Sequence, residues 1–539
     1  MKTAAEILVQ FLADQGVTRA FCVPGESYVA ALDALHDHPT IDLVTCRHES
    51  GAGFMALADA RLTGVPGVAL VSRGPGACNA SIAVHTAQQD SVPLLLIVGQ
   101  VEARDLRARA FQEIDYARMF DGVAKFVGEA THADQVAELA SRAWSAMLTG
   151  VPGPAVLVVP EDVFAAPCAR AALAPVLGSD AGPSAASTER LAALLRAAAR
   201  PVVVAGGDLD QPGGREALLA FAERWQVPVA VSFRRQDLFP NAHKLYAGDM
   251  GLSNPAPQRD AFARADLVIA LGTRLGDITT QGYSFPAPGQ RLVHVCADAS
   301  WLGWRFETEM ALAAHARPVL AALEGCQAGA PAGRAAWCAE LRGLQTAEAA
   351  WAPRTAADGV VFPNVVAALG ARLTDDAIVT LDAGTFGAPF YRKVAWRLGQ
   401  RLLAPIAGSM GYGMPAAVAA ALRHPDRPVL CAIGDGGFLM TGSELAVAAA
   451  RGVRNLKVLL SENGSYASIR IHQERAHPGR VSGTDLVNPD LAMMGAAYGY
   501  PVMVVRHEHE VAALIDALVA PGPLFAVVHS SLAAVLPRG

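Results

Sequence analysis

The sequence predicts an α/β protein made of three doubly wound parallel-sheet domains. Three observations carry that expectation. The chain has 539 residues, enough for three or four domains at roughly 100–200 residues each. Short runs rich in β-branched residues alternate with helix-period segments along its whole length, the pattern of βα units whose sheet is covered on both faces. Two stretches, 169–199 rich in Ala, Pro, Gly and Ser and 325–354 rich in Ala, Gly and Pro, break the alternation into three blocks. The blocks expected are 1–168, 190–340 and 355–539.

In the first block the strands expected are Thr18–Val23, Ile41–Cys46, Gly67–Ser72, Pro93–Val98 and Ala155–Val159. A linker containing GSDAGPSAAS follows and leads into a helix. The second block supplies Pro201–Ala205, Val227–Val231, Leu267–Leu271 and Arg291–Val295, and its connector 325–354 reads as partly helical. The third supplies Ala377–Leu381, Pro428–Ile433, Leu456–Leu460, Val502–Val505 and Pro523–Val528.

Composition narrows the function classes. Hydrophobic residues make up 52% and charged residues 17%, with 50 acids against 44 bases. Such a chain fills several cores and is not disordered. No basic block follows a phosphate backbone, so nucleic acid is not an expected partner. No apolar stretch reaches about 18 residues, so no membrane span is expected. The eight cysteines form no CxxC pair, which favours a reducing compartment over a zinc ribbon. The opening MKTAAEILVQFLADQGV reads as an amphipathic helix containing acids, not as a signal peptide. A cytoplasmic location is the expectation.

The most informative segment is 428–466. A buried strand runs to Ile433, the chain turns through Gly434, Asp435, Gly436 and Gly437, and helical periodicity resumes around Gly442–Arg451. A second strand ends at Ser461, and Asn463 follows. Parallel strands share one C-terminal edge, where ligands bind, so Asp435 and Asn463 fall on that edge. Both offer oxygen, as magnesium requires, and the glycines let backbone N–H groups approach a phosphate. A plain strand-to-helix turn would also use GDGG. No Walker loop and no GxGxxG occur here, against a kinase, an ATPase or an NAD-binding oxidoreductase.

GDG followed by a distant Asn resembles the diphosphate and metal signature of thiamine diphosphate enzymes. Nearly the whole chain resembles the acetolactate synthase and pyruvate oxidase superfamily. The matching segments, in order, include FCVPGES (21–27), CRHESGAGFMALADAR (46–61), SRGPGACNASIAVHTAQQ (72–89), RAFQEID (109–115), LVIALGTRLGD (268–277), AGSMGYGMPAA (407–417) and GDGGFLMTGSEL (434–445). The resemblance implies a pyrimidine-binding domain, a central domain and a diphosphate-binding domain. It implies thiamine diphosphate and Mg2+ as cofactors, and a homodimer at least, with a homotetramer favoured. The pyrimidine domain of one subunit would face the diphosphate domain of another.

The resemblance also assigns residues. Asp435, Asn463 and the backbone carbonyl of Ser465 would hold the metal. Gly384, Thr385, Phe386, Ser409, Gly434, Gly436, Gly437 and Tyr466 would contact the cofactor, with Met410 beneath its bend. Glu49 would hydrogen-bond the aminopyrimidine, favouring the imino tautomer that takes the C2 proton. Its rival reading is a helix cap or a partner of Arg47 or His48. Gln112 matches a glutamine lining the synthase site, and Gly25, Glu26 and Ser27 match the loop near the reacting carbon. His85 and Gln89 either face the cofactor or lie packed at the surface. The activity implied is decarboxylation and carboligation of 2-oxo acids. A related lyase, decarboxylase or oxidase acting on another 2-oxo acid, 2-hydroxy ketone or acyl-CoA is the alternative. A non-catalytic binding homologue is a third reading, against which Glu49, Asp435 and Asn463 all stand.

Several positions depart from the synthase pattern. Glu26 stands where a second Gly is usual, Glu161 where the PKDV turn has Lys, and Glu462 where the metal motif has a first Asn. His472 replaces the Trp that shapes acceptor choice. LGTRLGD and SFRRQD resemble flavin-contacting regions, so the central domain is expected to hold FAD, a nucleotide such as ADP or coenzyme A, or nothing, with Arg234, Arg235 and Arg274 either phosphate contacts or ordinary surface residues.

Overall fold

The computed structural model describes residues 1–176 and 182–536. Residues 178–181 of the linker run GSDAGPSAAS lie outside them; the expected helix follows at Ala185–Ala197. Among the described residues three six-stranded sheets form, and every pairing within them is parallel. The first runs, in spatial order, Asp42–Thr45, Arg19–Cys22, Gly67–Ser72, Leu94–Gln100, Pro154–Pro160, Phe126–Glu129. The second runs Met310–Ala313, Leu292–Cys296, Leu267–Leu271, Pro201–Ala205, Val229–Val231, Tyr246–Asp249. The third runs Arg401–Leu403, Ile378–Leu381, Val429–Gly434, Leu456–Glu462, Leu524–His529, Val502–Val505.

The strands expected from sequence all form, within a few residues of their expected ends. Four more are present: Phe126–Glu129, Tyr246–Asp249, Met310–Ala313 and Arg401–Leu403. Each is an edge strand of three or four residues. Their sequences, FVGE, YAGD, MALA and RLL, carry no β-branched run, because an edge strand needs no continuous apolar stretch. The connector 325–354 contains the helix Arg334–Ala349.

The outer blocks pack on each other within one chain. Helix Glu49–Thr63 of the first lies against Gly413–Arg423 of the third, with Phe54 edge-on to Tyr412 at 5.6 Å and Asp59 paired to Arg423 at 2.7 Å. All three blocks meet at a buried charge network. Asp210 of the central block receives Arg61 from the first at 2.8 Å and Arg401 from the third at 2.9 Å. Burial opposes ionisation of Asp210, but Arg401 and Arg61 outweigh it and hold its carboxyl below the usual range.

Candidate active site

Three neighbouring strands of the third sheet end side by side. Val429–Gly434 pairs with Ile378–Leu381 on one side and with Leu456–Glu462 on the other, in a register that sets Gly434 against Ser461. The residues leaving these strands, Asp382, Asp435 and Asn463, therefore share one sheet edge. The chain does not turn through GDGG before resuming a helix. The helix begins at once, Asp435–Thr441, so the expected start near Gly442 is seven residues too late. Small residues at its first turn allow this close strand-to-helix passage.

Asp435 is buried and fully oriented. Its Oδ1 accepts the N–H of Gly436 at 2.9 Å; its Oδ2 accepts those of Asn463 at 3.2 Å and Gly464 at 2.8 Å, and the amide of Asn488 at 3.0 Å. The Asn463 Oδ1 accepts the Ser465 N–H at 3.0 Å. The glycines are needed for space: a Cβ on Gly436 would lie 2.6 Å from the Tyr466 ring, and one on Gly437 2.9 Å from the Asp382 carboxylate.

These residues line a cavity of about 520 Å³ between the third and central blocks, within the usual range for small-ligand sites. Gly384, Thr385, Phe386, Met410, Gly434, Asp435, Gly436, Gly437, Asn463, Ser465 and Tyr466 all face it. Ser409 does not; its hydroxyl is hydrogen-bonded to Thr86 at 2.7 Å.

Asp382 organises the cavity and was not singled out by sequence reasoning. Its buried carboxylate accepts the N–H groups of Ala383 at 2.7 Å, Gly411 at 3.0 Å and Gly413 at 2.8 Å. It thus ties the Gly384–Phe386 loop to the loop carrying Met410. Burial pushes its carboxyl up to about 6, against the pull of those amides. Asn488 was also missed: it lies 53 positions after Asp435, and no local pattern marks it.

Gly25, Glu26, Glu49 and Gln112 lie outside this cavity, at the C-terminal edge of the first sheet. Glu49 opens the helix Glu49–Thr63 and accepts a 2.9 Å hydrogen bond from Asn79; it pairs with neither Arg47 nor His48. The residues before it are held from the third block: Glu444 accepts the N–H groups of Arg47 at 3.1 Å and His48 at 2.9 Å. Glu444 is fully buried, and burial pushes its carboxyl up to about 7. A Cβ on Gly51 would sit 2.2 Å from it, so Gly51 makes the approach possible.

Gly25 packs so tightly that an added Cβ would meet Ser72 at 2.2 Å. Gln112, at φ 65°, accepts the Gly74 N–H at 2.9 Å. Next to Gly74, Arg73 bridges Glu26 at 3.3 Å and Glu161 at 2.8 Å, so two of the departures from the synthase pattern share one arginine. His85 is exposed, and the Gln89 side chain bonds Gln88. His472 is exposed and off the cavity wall, which Ile469 lines instead.

Family models match three segments: the thiamine pyrophosphate enzyme N-terminal TPP-binding domain at 2–119, the central domain at 188–323 and the C-terminal TPP-binding domain at 382–529. The chain is a thiamine diphosphate enzyme of the acetolactate synthase and pyruvate oxidase superfamily. It is 31% identical to the acetolactate synthase isozyme 1 large subunit of Escherichia coli K12, over 98% of this chain and 93% of that one. It is 34% identical to a Pseudomonas aeruginosa protein described as a probable 2-ketoarginine decarboxylase, AruI, over 93% and 89% of the two chains. A Corynebacterium glutamicum acetolactate synthase large subunit is 30% identical over 94% and 83%. This thiamine diphosphate enzyme is accordingly a lyase or transferase related to the decarboxylating and carboligating synthases. Thiamine diphosphate and Mg2+ are the cofactors typical of its family.

The cavity suits that pair. One carboxylate, one amide oxygen and a backbone carbonyl are hard donors. Among the described residues no cluster of three or more His, Cys, Asp or Glu offers a rival metal site. Flavin, in contrast, finds no support. Arg235 donates to the Asp90 carbonyl at 3.2 Å, and Arg274 donates to the carbonyls of Gln88, at 3.2 Å, and Gln89. The central-domain cavity beside Arg274 measures about 160 Å³, small for a dinucleotide. No helix is long and apolar enough to cross a membrane among the described residues.

Proposed function

We propose that this enzyme decarboxylates a 2-oxo acid and passes the remaining acyl unit to a proton or a second carbonyl, as acetolactate synthases do. The observation that carries the reading is the convergence of Asp435, Asn463, Met410 and the glycine cradle on one cavity. Asp435, Asn463 and the Ser465 carbonyl would hold Mg2+, and the glycine-rich segment at Gly434–Gly437 would receive the diphosphate. When bound, thiamine diphosphate would supply the electron sink that decarboxylation needs. Met410, on the cavity wall, would lie against the cofactor. Glu49, oriented by the hydrogen bond from Asn79, would hydrogen-bond the cofactor's aminopyrimidine.

Glu49 and Asp435 face different sites of one chain, which supports an active site completed by a second copy. We therefore propose a dimer at least, with Glu49, Gly25, Glu26 and Gln112 supplied across the interface. Mass spectrometry of products formed from pyruvate with thiamine diphosphate and Mg2+ tests the reading. Acetolactate is the synthase outcome. A specific observation favours another 2-oxo acid as donor: Glu26 and Glu161 surround Arg73, and His472 stands off the cavity. Release of carbon dioxide only from larger 2-oxo acids would select that reading; release from none would overturn both.

A further inference from the structure

Four charged residues line the thiamine cavity: Asp435, Asp249, Arg392 and Arg234. Asp435 belongs to the metal set proposed above. Arg392 pairs with Asp249 at 3.6 Å and with Glu348 at 3.5 Å. Arg234 is left over. It is 7% exposed, and among the described residues no carboxylate lies within 4 Å of its guanidinium. One Nη donates to the Pro405 carbonyl, while Nε is buried with no hydrogen-bond partner.

The surroundings hold the group in place without a direct ion pair. Its guanidinium carbon lies 4.8 Å from the Phe233 ring centroid and 5.9 Å from that of Tyr391. Arg234 itself adopts φ 58°, a left-handed conformation that costs free energy in a non-glycine residue. The nearby carboxyls are committed, Asp382 to three backbone amides and Asp249 to Gln236 and Arg392. A buried cation with no carboxylate in direct contact keeps part of its desolvation cost, although the Asp382 charge acts on it through space. An anion in the cavity would remove that cost and would find a planar donor set suited to carboxylate.

We propose that Arg234 forms an anion subsite in the central-domain wall of the thiamine cavity, and that it takes a second, distal carboxylate of the substrate. This rests on the 2-oxo acid reading above and narrows it to oxo acids bearing a distal acidic group. The cofactor's own diphosphate is the competing source of the same oxyanion chemistry.

The test is calorimetric and needs no turnover, so it stands even if the decarboxylase reading fails. The Mg2+ and thiamine diphosphate holoenzyme is titrated with glutarate and with butyrate, which lack the reactive ketone. Glutarate should bind roughly tenfold tighter or more, as expected for one charge-assisted hydrogen-bonded pair. Arg234→Gln should abolish the preference and leave thiamine diphosphate affinity unchanged, and Arg234→Lys should keep part of it. Equal binding of the two acids by the unaltered enzyme, a preference that survives in Arg234→Gln, or loss of thiamine diphosphate affinity in that variant would each overturn the proposal. The last outcome would assign the cation to the diphosphate. If Arg234→Gln does not fold, the unaltered enzyme and Arg234→Lys decide.

Discussion

His48 donates its backbone N–H to Glu444 at 2.9 Å, so a carboxylate from the diphosphate block holds the residue just before Glu49. Glu444 comes three residues after the helix Asp435–Thr441. The two halves of the proposed catalytic machinery in one chain are therefore mechanically joined, although each would serve a different cavity in the proposed dimer.

Glu444→Gln should lower turnover more than it lowers thiamine diphosphate affinity. A Gln offers one acceptor oxygen and sets an NH2 against backbone donors, at about 1–3 kcal/mol for the group left unsatisfied. The folded carboxyl sits at about 7 against an ordinary 4.5. The folded state thus binds a proton that the unfolded chain releases, so this group's stabilisation is full below about pH 4.5 and disappears as pH rises through about 7. Thermal melting from pH 5 to 7.5 should fall less steeply in the variant; identical slopes would remove Glu444 as the titrating group.

Glu49→Gln should keep the cofactor and lose at least about two orders of magnitude in turnover, since an amide cannot take over the acid–base role. Exchange of the thiamine C2 proton, followed by quenched-flow NMR, reads the step directly. Asn79→Ala should slow the same exchange by less. Unchanged exchange in Glu49→Gln would take Glu49 out of the mechanism.

Asp435→Ala should abolish the magnesium dependence of thiamine diphosphate binding. Asn488→Ala removes one of four hydrogen bonds to that carboxylate, so it should weaken binding by roughly tenfold or less. Calorimetry with and without Mg2+ compares the two, and a larger effect from Asn488→Ala would reverse the ranking.

Ile469→Ala should shift product ratios more than His472→Trp, because Ile469 lines the cavity and His472 does not. Gas chromatography of products from mixed acceptors measures this. The opposite order would mean that His472 reaches a site completed by the second subunit.

Arg73 and Glu161 should couple more strongly than Arg73 and Glu26 in double-mutant cycles of stability. The first pair is closer and better shielded, while the Glu26 side chain is 71% exposed, where an ion pair contributes at most about 1 kcal/mol. Equal coupling energies would contradict the geometry.

Central strands and the GDGG edge were legible because buried parallel strands need apolar runs and a close strand-to-helix passage needs small residues. Short edges such as Arg401–Leu403 left no such trace. That Asp435 and Asn463 share one sheet edge was readable from spacing, whereas Asp382, Glu444 and Asn488 act through tertiary hydrogen bonds with no local signature. His472 occupied the right place in a motif but the wrong face of the helix Ala467–Ala476.

The Asp210 junction bears on how this chain can be re-engineered. One carboxylate answers two arginines that arrive from opposite ends of the sequence. A chimera that borrows its central block from a relative would keep both arginines and could forfeit their shared partner. Such grafts should fail by misassembly, however well each transplanted block folds, unless residues 61, 210 and 401 travel together.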